Sequence, residues 1–70
     1  MRKLVGRNAR RMRVLCGLTQ EQLSEQTGLT QQYISGLEQG RRNPTILTLF
    51  DLAQALRTTP AALITPEEVE

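Results

Sequence analysis

A chain of 70 residues, 39% hydrophobic and 23% charged, can close one small core but not two domains. Histidine is absent and Cys16 is the single cysteine, so residues for a metal cage, an internal disulfide or a Cys/His catalytic pair are missing, and neither an enzyme nor a cofactor is expected. The net charge of +2 is unevenly spread: Arg2, Lys3, Arg7, Arg10, Arg11 and Arg13 crowd the first 20 residues without an acid, an arrangement that favours polyanions, whereas beyond Arg42 the lone Arg57 faces Asp51, Glu67, Glu68 and Glu70.

The opening stretch MRKLVGRNARRMRV lacks the continuous apolar run of a signal peptide. Nowhere do about 18 apolar residues follow one another, so a cytoplasmic chain without a membrane span is expected. Val5, Ala9, Met12 and Cys16 recur at spacings of four, three and four, which defines one face of a first helix over residues 4–16. The arginines fall mainly on its other faces, and Cys16 reads as a small packed residue rather than a reactive thiol. Gly17 supplies a stop, and Thr19 a side-chain oxygen to cap the next helix. That second helix runs from Gln20 to about Thr27, with Glu21 and Gln22 in its first turn and Leu23 buried beside the small Ser24. Gly28 suits a left-handed turn, Leu29 plugs the junction, and Thr30 caps a third helix from Gln31 to about Gln39. Ile34 and Leu37 are its buried positions, leaving Gln31, Gln32 and Ser35 on the open side.

Gly40 ends the third helix and RRNP forms a basic loop. A fourth helix begins near Thr45, with Ile46, Leu49, Leu52, Ala53 and Leu56 as a broad apolar stripe. Leu47 and Phe50 make it apolar nearly all round, which suits either a central core helix or one shared with a partner. Thr59 and Pro60 fit the cap and first turn of a short fifth helix carrying Leu63 and Ile64. Thr65 and Glu68 have the spacing of a capping box, but the chain stops before another helix can propagate, so residues 65–70 read as an acidic tail. The expected fold class is all-α, with five helices in one domain over residues 1–64.

Residues 20–39 carry a particular constellation. Two short helices that cross steeply need a small residue at the closest approach, a glycine in the turn and apolar residues that clamp the second helix to the first. Ser24, Gly28, Leu29, Ile34 and Leu37 supply these in order. The string LTQEQLSEQTGLTQQYISGLEQGRRNP, followed by TLFDLAQAL, resembles the Cro/repressor-type helix-turn-helix family, also called the xenobiotic-response-element regulators, from roughly Val5 to Ile64. The resemblance implies a compact five-helix, lambda-repressor-like DNA-binding domain whose second and third helices form the helix-turn-helix. Ser24 departs from the family pattern, where Ala is more common, yet remains small enough for the crossing.

A short helix with exposed amides at its N-terminal end fits the major groove, where Gln can make paired hydrogen bonds to adenine N6 and N7. Gln31 and Gln32 are therefore candidate base readers, with Ser35 one turn further on. A solvated helix face is the plain alternative for paired glutamines, but TQQ is similar to the opening of recognition helices in some lambdoid phage repressors. The resemblance also implies that Gln20 grips phosphate and braces Gln31. It places Arg41 and Arg42, with the backbone near Gln39 and Gly40, astride the sugar-phosphate chain, and sets Thr30, Gln39 and Asn43 against the same backbone. Tyr33 lies beside buried Ile34 rather than on its face, which favours a backbone contact over a core position. Gly36 costs about 1 kcal/mol relative to Ala inside a helix, and either close approach to DNA or tolerance by neighbouring packing would explain it. Arg7, Arg10 and Arg11 are candidates for an adjacent phosphate, or are simply solubilising. Finally, the resemblance suggests an interhelical ion pair between Arg13 and Glu38.

Together these readings predict a sequence-specific regulator of transcription that binds double-stranded DNA as a homodimer, represses by blocking polymerase, and responds to concentration, dimerisation or a partner rather than to a small-molecule ligand. A dimer implies a pseudo-palindromic operator with half-sites about 34 Å apart. The candidate dimer surface is Leu47, Phe50, Leu63 and Ile64, within the segment from Arg57 to Val69 and the fourth helix, unless these residues complete the core. A protein-binding module, antitoxin-like or adaptor, is the main alternative, and a nonspecific nucleic-acid chaperone is a third. DNA binding should weaken steeply with salt, whereas a protein contact through the tail should not.

Overall fold

Threonine begins four of the five helices among the described residues. In the computed structural model, which describes residues 1–67, the chain forms α1 (Arg2–Leu15), α2 (Gln20–Thr27), α3 (Gln31–Glu38), α4 (Ile46–Ala55) and α5 (Pro60–Leu63). The hydroxyls of Thr19, Thr30, Thr45 and Thr59 each accept a hydrogen bond from the backbone N–H three residues on, at 3.0 to 3.2 Å. Each such cap contributes about 1 kcal/mol to helices too short to persist alone. At Thr19 the cap is reciprocal, because the Gln22 side chain accepts from the Thr19 N–H at 2.9 Å.

The buried set is Val5, Ala9, Leu23, Ile34, Leu37, Leu49, Leu52, Ala53, Leu56 and Leu63, with Met12, Leu18, Leu29 and Tyr33 packed around it. Helix α3 lies against α1 and α2, α4 bridges α2 and α5, and α5 closes back on α1. Gly28 adopts φ +79° at the α2–α3 turn. There the Ser24 hydroxyl donates to the Leu29 carbonyl, so the residue that departs from Ala also fastens the turn. Gly6 marks the tightest crossing: a Cβ at this position would overlap the Leu37 carbonyl oxygen and lie 3.0 Å from that of Glu38. Beside it Asn8, nearly fully buried, donates from Nδ2 to the carbonyls of Leu63 and Thr65, both at 2.9 Å, and so ties α5 to α1.

Three expectations are corrected. Leu63 has no exposed surface and belongs to the core, because the Asn8 hydrogen bonds draw α5 onto α1; it is not available to a second subunit. Ile46 is 68% exposed at the first turn of α4 rather than part of its buried stripe. Cys16 is exposed beyond the last turn of α1, where its thiol makes a weak contact with the Leu56 carbonyl. Thr65 donates to the Ala61 carbonyl, while the rest of its suggested capping box, Glu68, lies outside the described residues, as do Val69 and Glu70 of the acidic tail. Among the described residues no helix is long and apolar enough to cross a membrane.

Candidate nucleic-acid interface

Once Ile34 and Leu37 are pinned in the core, the pitch of α3 decides what faces outward. Gln31, Gln32 and Gln39 are exposed, and Ser35 and Gly36 are half-buried between them. Together with Gln20, Arg41 and Arg42 they line one concave face. The structure thus brings together all three candidate base readers and four of the seven candidate backbone contacts. Of the others, Thr30 uses its hydroxyl to cap α3, Tyr33 packs partly against the core, and Asn43 is exposed in the following loop.

The loop leaves α3 in a defined way. Gly40 is left-handed at φ +77°, its N–H bonds the Leu37 carbonyl at 3.0 Å, and the Arg41 N–H bonds the Gly36 carbonyl at 2.8 Å. This pair of bonds is a Schellman closure, which fixes where the two arginines start relative to the helix.

The electrostatics of the face depend on a carboxylate just behind it. Glu38, whose side chain is 3% exposed, accepts from Arg13 Nε at 2.7 Å and Nη2 at 3.1 Å. Arg13 Nη1 in turn donates to the Leu18 carbonyl at 2.8 Å. The hydrogen bond to Glu38 holds the Arg13 guanidinium above its ordinary pKa, against the lowering effect of burial, so Arg13 stays charged at any working pH. The only acidic side chain in the segment from Gln26 to Phe50 is therefore neutralised internally, and Arg41 and Arg42 supply the charge of the concave face. Gln20 takes part in the same network, donating to Glu38 Oε1 at 3.1 Å. It is held by Glu38 rather than by Gln31, which differs from the bracing that the family resemblance suggests. Gln39 donates to Ser35 Oγ at 3.4 Å along the exposed side of the helix.

Arg7, Arg10 and Arg11 stand elsewhere, around a second concavity that also includes Pro66 and Glu67. Arg11 Nε pairs with Glu67 at 3.3 Å, so the start of the tail engages one of the candidate phosphate contacts. Leu47 and Phe50, 74% and 51% exposed, stand three residues apart on α4, and Ile46 on the same helix and Ile64 at the end of α5 are exposed as well.

Sequence reasoning missed Gly6, Asn8 and the hydroxyl of Ser24. A glycine inside a helical pattern is a signal for close approach, and Gly6 met that condition; Asn8 sits next to Ala9 on the apolar face and could have been noticed as a buried polar residue.

The profile of the helix-turn-helix family matches residues 10–63. An uncharacterized HTH-type transcriptional regulator of Sinorhizobium fredii, y4dJ, is 54% identical over 97% of this chain and 88% of its own length. The control protein C.SmaI of Serratia marcescens is 40% identical over 93% of this chain and 77% of its own. Among solved structures, the restriction-modification controller protein C.AhdI of Aeromonas hydrophila superposes with a TM-score of 0.84 at 35% identity, over 89% of this chain and 94% of that one. The match across the paired helices, and across 77% to 94% of the length of these relatives, identifies the chain as a member of the Cro/C1-type helix-turn-helix family of DNA-binding transcriptional regulators.

Proposed function

We propose that this protein is a dimeric, sequence-specific repressor that reads the major groove with α3. The observation that carries the reading is the single concave face on which Gln20, Gln31, Gln32, Ser35, Gln39, Arg41 and Arg42 meet, with no carboxylate in its lining. Gln31 and Gln32 occupy the first turn of α3, where short amide side chains reach base edges, and Ser35 follows one turn later. Gln20, Gln39, Arg41 and Arg42 flank them and hold the sugar-phosphate backbone, with Thr30 just before the helix and Asn43 in the loop after it; such contacts orient the domain and leave the reading to the glutamines.

Leu47, Phe50, Ile46 and Ile64 form the subunit contact, since an apolar surface of this kind on so small a domain suits burial against a second copy. A two-fold dimer then presents its two α3 helices to half-sites about one helical turn apart. The likeness to a control protein and to a restriction-modification controller supports a cytoplasmic regulator that acts by occupying an operator.

Two measurements test this reading. Sedimentation equilibrium of the wild type should give a dimer, and Leu47→Glu/Phe50→Glu a folded monomer; a wild-type monomer at tens of micromolar would remove the dimer. Titration of duplex DNA at two salt concentrations should show affinity falling steeply with salt, by roughly 0.9 in log–log slope per neutralised phosphate. Binding that ignored salt and required Leu47 and Phe50 would point to a protein partner instead.

A further inference from the structure

Gly36 and Arg42 occupy each other's space. A Cβ built on Gly36 would lie 3.2 Å from Arg42 Nε and 3.4 Å from its Cγ, so the arginine stem crosses α3 where the helix has no side chain. Beyond that crossing the guanidinium carbon stands 5.5 Å from the centre of the Tyr33 ring, within range of a cation–π contact. Tyr33 and Gly36 are three residues apart on α3 and share a face, and Tyr33 is itself held by packing against the core. The backbone is fixed at the same place, because the Arg41 N–H bonds the Gly36 carbonyl. Among the described residues the ion pairs are Arg11–Glu67 and Arg13–Glu38, so no carboxylate competes for Arg42.

We infer that Gly36 and Tyr33 are positioning residues: they form a shallow seat that sets the Arg42 guanidinium, before DNA arrives, as a phosphate anchor at the rim of the concave face. The inference rests on the reading of that face as a DNA interface. An arginine side chain in solution samples many rotamers, and ordering it on binding opposes affinity; seating it beforehand removes much of that opposition. The Tyr33 ring holds the guanidinium carbon from one side, and a guanidinium so placed can bond phosphate oxygens through its N–H groups. The seat also accounts for a glycine in the middle of a recognition helix. Its removal should favour the helix and harm the interface, opposite signs that a purely structural role for Gly36 does not produce.

The test uses the full chain and a mixed-sequence duplex of about two helical turns, since a phosphate anchor works without sequence preference. Gly36→Ala should melt at or above the wild-type temperature yet bind the duplex about 3- to 10-fold more weakly, with its salt slope reduced by about one phosphate, as should Arg42→Ala. In the Arg42→Ala background, Gly36→Ala should have no further effect on binding, because the two act through one contact. Tyr33→Phe should keep wild-type affinity and Tyr33→Leu should lose it, as the ring and not the hydroxyl makes the seat. Without DNA, the Arg42 Nε–H resonance should carry the shielding of the Tyr33 ring in the wild type and lose it in Tyr33→Leu and Gly36→Ala. An Arg42→Ala protein that bound normally, a Gly36→Ala effect that persisted without Arg42, or a Tyr33→Phe loss equal to that of Tyr33→Leu would each overturn the inference. A failure of the inference alone leaves Gln31→Ala/Gln32→Ala still losing sequence selectivity, whereas a wild type with no affinity for duplex DNA overturns both.

Discussion

Replacing Glu38 with Gln keeps the shape of a side chain that three donors share and removes its charge. Glu38 accepts three hydrogen bonds, two from Arg13 at 2.7 and 3.1 Å and one from Gln20 at 3.1 Å. A glutamine has one oxygen to offer these donors, and its amide N–H groups would face the N–H groups of Arg13 or Gln20. Arg13, whose side chain is 12% exposed, is left as a charge without a counter-charge. Breaking a buried pair in this way costs about 3–5 kcal/mol, and partial access of water to Arg13 sets the expectation at the lower end, about 3 kcal/mol. A domain of this size has roughly 4–10 kcal/mol in total, so the loss is a large fraction of it. At about 4–8 °C per kcal/mol, the far-UV circular dichroism melt of Glu38→Gln should fall by roughly 12–24 °C. Arg13→Gln should fall comparably, and Arg13→Met/Glu38→Leu should recover most of the loss, because an apolar pair leaves no charge uncompensated. If both single variants melted within about 2 °C of wild type, the pair would be two solvated charges and the reasoning would fail.

Two further substitutions probe how α3 is carried. Gly6→Ala places a methyl group into the carbonyls of Leu37 and Glu38, so despite the better helix former it should destabilise by about 1–3 kcal/mol in a urea titration; an unchanged or raised midpoint would contradict the crossing. Asn8→Ala removes the donors from the Leu63 and Thr65 carbonyls and should cost about 1–3 kcal/mol, with the extra hydrogen exchange concentrated in α5; uniform exchange across the domain would count against Asn8 as the tie.

Which parts of this molecule could be read from the chain follows from how local their causes are. The caps at Thr19, Thr30 and Thr59, the turn at Gly28 and the buried residues Leu23, Ile34 and Leu37 depend on neighbours within a few residues, and their positions were legible as spacing. So was the open side of α3, because once its apolar face is known the pitch of a helix determines the rest. Leu63 illustrates the opposite case. Nothing near it in the chain distinguishes it from Ile64, and its burial depends on Asn8, more than 50 residues earlier, drawing α5 inward. Gly36 is similar: its helix context states a cost, but the reason, the stem of Arg42, returns only through the fold of the loop. Arg57 gave no signal at all, although among the described residues it is the one non-glycine residue at positive φ, +59°, where the chain turns out of α4. Glycine is the usual choice there, and the described residues offer no contact that explains an arginine.

The central claim is that the first turn of α3 reads bases. Selection from a random duplex pool, run in parallel with wild type and Gln31→Ala/Gln32→Ala at two salt concentrations, tests it directly. A two-fold symmetric motif that is sharp for wild type and loses information at paired positions in the variant, with both proteins folded to the same extent, is the predicted result. A wild type that enriches no motif, or a variant that enriches the same motif with the same sharpness, would contradict it.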